Sequence, residues 1–261
     1  MRKAKRIRIR QFQFWAGISL SLLSVTSIFS QKNEQLHKRI KKRVAILTFE
    51  DQTDGRWHWW DRKNVGEGLS DMILTELLKT EQYHVVARPQ LDKFLQEHSL
   101  DALTPQSVAK VGDLLGVEFV VMGVVTEFGY DTKRARSRMK GFGLGIQDKS
   151  ATVELECQLV STATADMITT ETVRREKSSR GIQANTHTID FRSQRDFDES
   201  LVGKAARDAV RDVIKLINES APQIFWQAKV IREKMGLVYI DAGSEIGVAA
   251  GDRFFVYRKG A

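Results

Sequence analysis

Apolar positions recur along the chain in two rhythms, one near 3.6 residues and one of two residues, and the boundary between them falls near residue 125. Arg43–Phe49 is a short run rich in β-formers and predicts a buried strand. After a polar and aromatic loop from Glu50 to Lys63, Asn64 stands three residues before Glu67, a capping-box spacing. The helix it opens carries Leu69, Met72, Ile73, Leu77 and Leu78 as an apolar stripe. Tyr83–Ala87 predicts a second strand, and Pro89 a shorter helix with Leu91, Phe94 and Leu95 on one face. Thr104 and Pro105 read as the cap and first residue of a helix that buries Val108, Val111, Leu114 and Leu115 and stops at Gly116. Phe119–Val125 is apolar on both faces, as a strand covered on two sides is.

Beyond Val125 the two-residue rhythm takes over. Ala151–Val160 and Met167–Val173 predict strands joined by a turn at Ser161–Asp166, flanked by irregular inserts at 129–150 and 174–197. Leu201–Asn218 predicts a closing helix with Val202, Ala206, Ala209, Val213 and Ile217 inward, and Pro222 a linker. Ile224–Ile231, Leu237–Ile240 and Arg253–Tyr257 read as strands between turns at Gly236, Gly243, Gly247 and Gly251. The expected class is therefore α/β (α+β): a mixed sheet flanked by helices with two inserted β-hairpins, followed by a small all-β C-terminal module. Residues 1–30 form a signal peptide or anchor, 31–42 a basic linker, 43–218 the α/β domain and 223–261 the β module. That module is too short for a core of its own.

Charge changes the picture only when it is located. The net charge of +8 is carried by the N-terminus: residues 1–30 hold six bases and no acid, and residues 31–43 hold six bases against Glu34. The remaining 29 bases face 32 acids, so the body is close to neutral and nucleic acid is not an expected partner. The basic run Met1–Arg10 precedes an apolar stretch diluted by serines, Phe12 to Phe29. That is the order of a secretory signal, and the stretch is also just long enough for an uncleaved anchor. Either delivers the body across the inner membrane. Cys157, the single cysteine, lies on an alternating strand and reads as a small core residue. His37, His58, His84, His98 and His187 are scattered without metal-ligand spacing, and no nucleophile elbow or P-loop is present. The chain is read as a non-enzyme that needs no cofactor.

Five segments together carry a family resemblance: Arg43–Asp51, Gly66–Leu78, Val85–Lys93, Ala109–Gly116 and Met122–Phe128. In their order and spacing the chain resembles the CsgG family, the curli production assembly/transport family of Gram-negative envelopes. Val238–Ser244 and Val248–Phe254 are similar to a β-extension common there. The resemblance implies a periplasmic or outer-membrane α/β domain that assembles into a homo-oligomeric ring. Hairpins of neighbouring copies close a β-barrel pore in the outer membrane, and curli-like surface-fibre subunits cross it by passive conduction. The alternative is a soluble periplasmic interaction module that binds an envelope partner without forming a pore.

The inserts decide between the two. In the first, Phe128, Tyr130, Phe142, Leu144 and Ile146 are the candidate membrane-facing residues, the last three alternating with Gly141, Gly143 and Gly145. Arg134, Arg136, Arg138 and Lys140 share one face, towards a lumen or towards water. The second insert offers Ile182, Ile189 and Phe191 without a sustained apolar face. No cysteine lies near the apolar N-terminal stretch, where well-known members carry a lipid anchor. In pore-forming relatives the loop after the first strand makes the constriction. Here it holds Trp57, His58, Trp59 and Trp60, either as a narrow aromatic collar or as rings packed on the following helix.

Overall fold

The computed structural model describes residues 40–53, 63–86, 88–98, 104–134, 147–181 and 193–257. Lys42–Ala242 forms one compact unit. Its elements are β1 (Lys42–Ile46), β2 (Glu50–Asp51), α1 (Val65–Lys79), β3 (Tyr83–Val85), α2 (Arg88–Glu97) and α3 (Pro105–Leu115). The long strands β4 (Phe119–Arg134), β5 (Gln147–Ser161) and β6 (Met167–Gly181) follow. Then come α4 (Gln194–Glu199), α5 (Leu201–Ser220), β7 (Val230–Lys234) and β8 (Leu237–Ile240).

The main sheet runs β3-β1-β4-β5-β6, with β2 also paired to β4. β1 is parallel to β3 and β4, whereas β4, β5 and β6 are antiparallel, so the sheet is mixed. The switch follows from connectivity: helices link the parallel strands, and β5 and β6 are joined by the tight turn in which Ser161 N–H donates to Asp166 O. β7 and β8 make a separate two-stranded sheet. This is the mixed α/β architecture with a small extra sheet that the hydrophobic pattern predicts.

Helix ends form where the local chemistry predicts them. Asn64 Oδ1 accepts from Glu67 N–H at 2.8 Å, Thr104 Oγ1 accepts from Ser107 N–H, and Gly116 closes α3 in the left-handed region at φ 65°. Two cores lie on the two sides of the sheet. Under α1 and α5 sit Val44, Ile46, Leu69, Ile73, Leu77, Phe119, Val121, Leu155 and Ala209, among others. Under α2 and α3 sit Ala45, Leu47, Val120, Met122, Leu91, Phe94, Val108 and Val111. Alternate residues of β1 and β4 serve one core each, which explains why both strands read as continuous apolar runs. At Gly123 a Cβ would overlap Glu156 O and the Phe49 ring, so only glycine fits where these layers meet.

Two expected stripe residues lie outside the cores. Leu78 and Leu114 are 50% and 56% exposed, because each sits one step round its helix from the buried face. β5 and β6 exceed their predicted spans, β6 running on to Gly181 through a polar stretch that pairs residue by residue with β5. The second insert therefore begins as the outer strand of the sheet. In the tail only Val230–Lys234 and Leu237–Ile240 pair as strands; most of Ile224–Ile231 does not join a ladder.

The other unit, of which 40–41 and 243–257 are described, is small. Its described residues include a 3-10 turn, Ser244–Ile246, and Lys41 N–H donates to Ile246 O at 2.7 Å. Arg253–Tyr257 forms no strand, contrary to expectation, and Phe255 is 98% exposed.

The stem of the loop after β1 is held at both ends. Asp51 Oδ2 accepts from Val65 N–H at 3.2 Å, while Asp51 Oδ1 accepts from the N–H and hydroxyl of Thr53.

Candidate functional site

Strands β4, β5 and β6 form a three-stranded ribbon whose two ends differ in chemistry. Near the core, Phe128 is 5% exposed within the helix-side core, Tyr130 packs against that core, and Val153, Leu155 and Val173 share that side. On the opposite side no described helix covers Thr126, Glu127, Glu154, Thr170 and Arg174. Glu127 and Glu154 stand directly opposite each other, an arrangement that repels. Arg174 resolves it by bonding both carboxylates, and its bond to Glu154 holds that carboxyl below the usual carboxylate range.

Beyond Tyr130 every row is polar or glycine on all three strands. Asp131, Ser150 and Ser178 make one row, and Thr132, Lys149 and Ser179 the next. Lys133, Asp148 and Arg180 follow, then Arg134, Gln147 and Gly181. Successive rows belong to opposite faces, so neither face of this stretch is apolar. The ribbon is braced on the helix side by Arg175 to Asp212 and by Lys177 to Asp208 at 2.5 Å, both acids lying on α5. The Lys177 bond pulls the Asp208 carboxyl down.

β6 has β5 on one side and, among the described residues, no strand on the other. Its outer edge is fifteen residues long, and apart from Val173 no described side chain on it is buried. Arg174, Arg175, Glu176 and Lys177 crowd its middle, the charge pattern that keeps exposed edges from pairing indiscriminately.

A second polar cluster lies at the opposite end of β4. Glu118 is 5% exposed and accepts N–H bonds from Arg43 at 2.5 Å and from Gln227. Its Oε1 has no hydrogen-bond partner among the described residues. Burial pushes its carboxyl up to about 7, against the pull of those donors and of the Arg43 charge. The same desolvation lowers the Lys42 ammonium, which donates to Ala221 O at 2.6 Å. Arg43 spans Gly116 O and Asp241, Asp241 Oδ1 accepts from Lys229 N–H, and Lys229 Nζ bonds Asp113. This cluster ties the segment after α5 to the sheet. Sequence reading missed it, and the one available signal was an acid set directly before the apolar run Phe119–Val125.

Trp57, His58, Trp59, Trp60, Arg136, Arg138, Lys140, Phe142, Leu144 and Ile146 lie outside the described residues, and for Arg134 only the backbone is described. Of the candidate membrane-facing residues the structure thus places Phe128 and Tyr130, both on the α5 side of the sheet. Cys157 is fully buried and its thiol is pushed up to about 12, which leaves it protonated and unreactive. A groove between α1 and α5 is lined by Lys79, Arg211 and Lys215, each already paired with an acid. Among the described residues no helix is long and apolar enough to cross a membrane, and no acidic, His or Cys group is placed to hold a metal ion.

Residues 25–234 match the family model described as curli production assembly/transport component CsgG. The candidate lipoprotein NMB1126/NMB1164 of Neisseria meningitidis serogroup B is 23% identical over 199 residues, which is 75% of this chain and 82% of that protein. Among solved structures, the hypothetical protein CT253 from Chlamydia trachomatis is 17% identical with a TM-score of 0.46, covering 69% of this chain and 97% of that one. Lipoprotein GNA1162 from Neisseria meningitidis is 14% identical with a TM-score of 0.39, covering 69% and 99%. With the family model spanning most of its length, the chain belongs to the CsgG family of curli production assembly/transport components.

Proposed function

We propose that this protein is an interaction module of the Gram-negative envelope, delivered by residues 1–30, which engages an extended segment of a partner along the outer edge of β6. The carrying observation is the polar ribbon: every described row beyond Tyr130 is hydrophilic, while no strand among the described residues pairs with the outer edge of β6. An open edge supplies backbone donors and acceptors, and the Arg174–Lys177 charges restrict which strand can approach. The partner is either a second copy, building a ring, or another envelope protein. In this reading 43–218 is the binding domain, 31–42 its basic linker and 223–261 an accessory β module.

The export-channel reading keeps one favourable observation. The ribbon runs on towards residues 141–146, where apolar residues alternate with glycine. A lipid-facing wall needs an apolar residue in every second row, so it could start only past Arg134 and Gln147. Trp57, His58, Trp59 and Trp60 would then be the lumen collar, and Arg136, Arg138 and Lys140 would face the lumen.

The test is hydrogen exchange on residues 167–181 of the full chain at rising concentration and with solubilised envelope, alongside planar-bilayer recording. Protection of β6 without conductance is the expected result. A heat-modifiable, detergent-requiring oligomer that conducts ions would replace the module with the channel.

A further inference from the structure

The β7–β8 hairpin displays apolar side chains that nothing in the described structure covers. Ile231, Met235 and Leu237 are 68%, 92% and 61% exposed. The register sets Lys234 opposite Leu237, Glu233 opposite Val238 and Arg232 opposite Tyr239. Arg232, Lys234, Leu237 and Tyr239 therefore share one face, and Glu233 lies on the other. Arg232 stacks over the Tyr239 ring at 5.0 Å, and neither Arg232 nor Lys234 meets a carboxylate among the described residues. The next acid along the chain after Glu233, Asp241, is engaged by Arg43 and by Lys229 N–H.

The turn is the most informative part. Met235 and Gly236 both have positive φ, 53° and 73°. Such two-residue turns favour Asn, Asp or Gly at both places, and an L side chain there is strained. Methionine accepts that strain with no packing in return, since its side chain points into solvent. An unbranched apolar tip, a leucine behind it, a ring beside it and two uncompensated cations are the chemistry of an interfacial anchor. The tip enters the acyl boundary, the tyrosine sits at headgroup level, and the cations meet lipid phosphates. A protein partner would have to match an apolar pocket to an acidic rim, whereas an anionic bilayer presents acyl chains and phosphates together without a matched shape.

We infer that the β7–β8 hairpin docks on an anionic phospholipid surface, inserting Met235 and Leu237 with Arg232 and Lys234 on the headgroups. The inference is independent of the strand-addition reading, because β6 and the hairpin share no residue.

The buried Cys157 makes a clean test possible. An environment-sensitive fluorophore attached to the full chain through Met235→Cys reports from the tip alone. With vesicles of phosphatidylglycerol and phosphatidylcholine, the emission is expected to shift to the blue and rise severalfold, and salt should reverse both changes. Adding Arg232→Glu and Lys234→Glu should weaken the apparent affinity at least about tenfold. Attachment through the N-terminal apolar stretch alone would leave the response indifferent to those two changes and would overturn the inference. So would an equal response to pure phosphatidylcholine. A shift that grows with protein concentration and no lipid would assign the hairpin to a second copy instead.

Discussion

The first and second halves of β4 belong to one strand and behave as two materials. From Phe119 to Val125 it has helices on both sides, and five of its seven residues carry buried apolar side chains. From Asp131 to Arg134 it pairs with β5 just as regularly through a wholly polar sequence. Regular pairing therefore does not depend on burial here; it propagates along a register that the core has already fixed. Stability is divided the same way, the first half holding the core and the second lying beyond it.

The sharpest way to test that division is to truncate one residue in each half. Phe119→Ala should cost about 3–5 kcal/mol in urea denaturation, since the ring is fully buried and stacks edge-on to Tyr83. For the polar half the residue is Ser178 on β6, in the row of Asp131 and Ser150, and Ser178→Ala should stay within about 0.5 kcal/mol. Equal losses at the two places would erase the contrast. Next in size is Gly123→Ala, expected to cost about 1–3 kcal/mol because the added methyl meets the Glu156 carbonyl and the Phe49 ring.

Glu118 gives the contrast a pH dependence. Its carboxyl binds a proton more tightly folded, at about 7, than unfolded, near the ordinary glutamate value of 4.5. Between those values the folded state holds the extra proton, so this group's contribution is complete at low pH and lost as pH rises through 7. Glu118→Gln should remove that slope, gaining on the order of 2 kcal/mol over the parent at pH 8 and little at pH 4. Parallel pH profiles for the two proteins would show the carboxyl to be better solvated than the structure makes it. The smallest effect is on the ribbon: Asp208→Asn should cost under about 1 kcal/mol, because its pairing with Lys177 is screened by solvent. Its lowered carboxyl carries the opposite sign, stabilising at neutral pH and fading as pH falls.

Much of this was legible because the cues were local. Asn64 before Glu67, and Thr104-Pro105 before Gly116, name their own helix ends, and the all-apolar run at Phe119 announces two covers. The extension of β6 from Arg174 to Gly181 was not legible, since its strand character comes from the neighbouring strand rather than from alternation. Arg253–Tyr257 misled in the other direction: strand propensity is plain in its residues, but a strand also needs a ladder to join. Leu78 and Leu114 show that an apolar residue beside a stripe is not thereby within it. Glu118 was invisible because a lone acid before a strand usually faces water, and only the passing Gln227 backbone and the Arg43 N–H turn it inward.

Asp51 has a last consequence, for the segment that holds the three tryptophans. With one carboxylate gripping both Thr53 and the first amide of α1, that excursion departs and returns through a single gate-post. Asp51→Ala should accordingly release Thr53 and the start of α1 together, lowering the melting temperature.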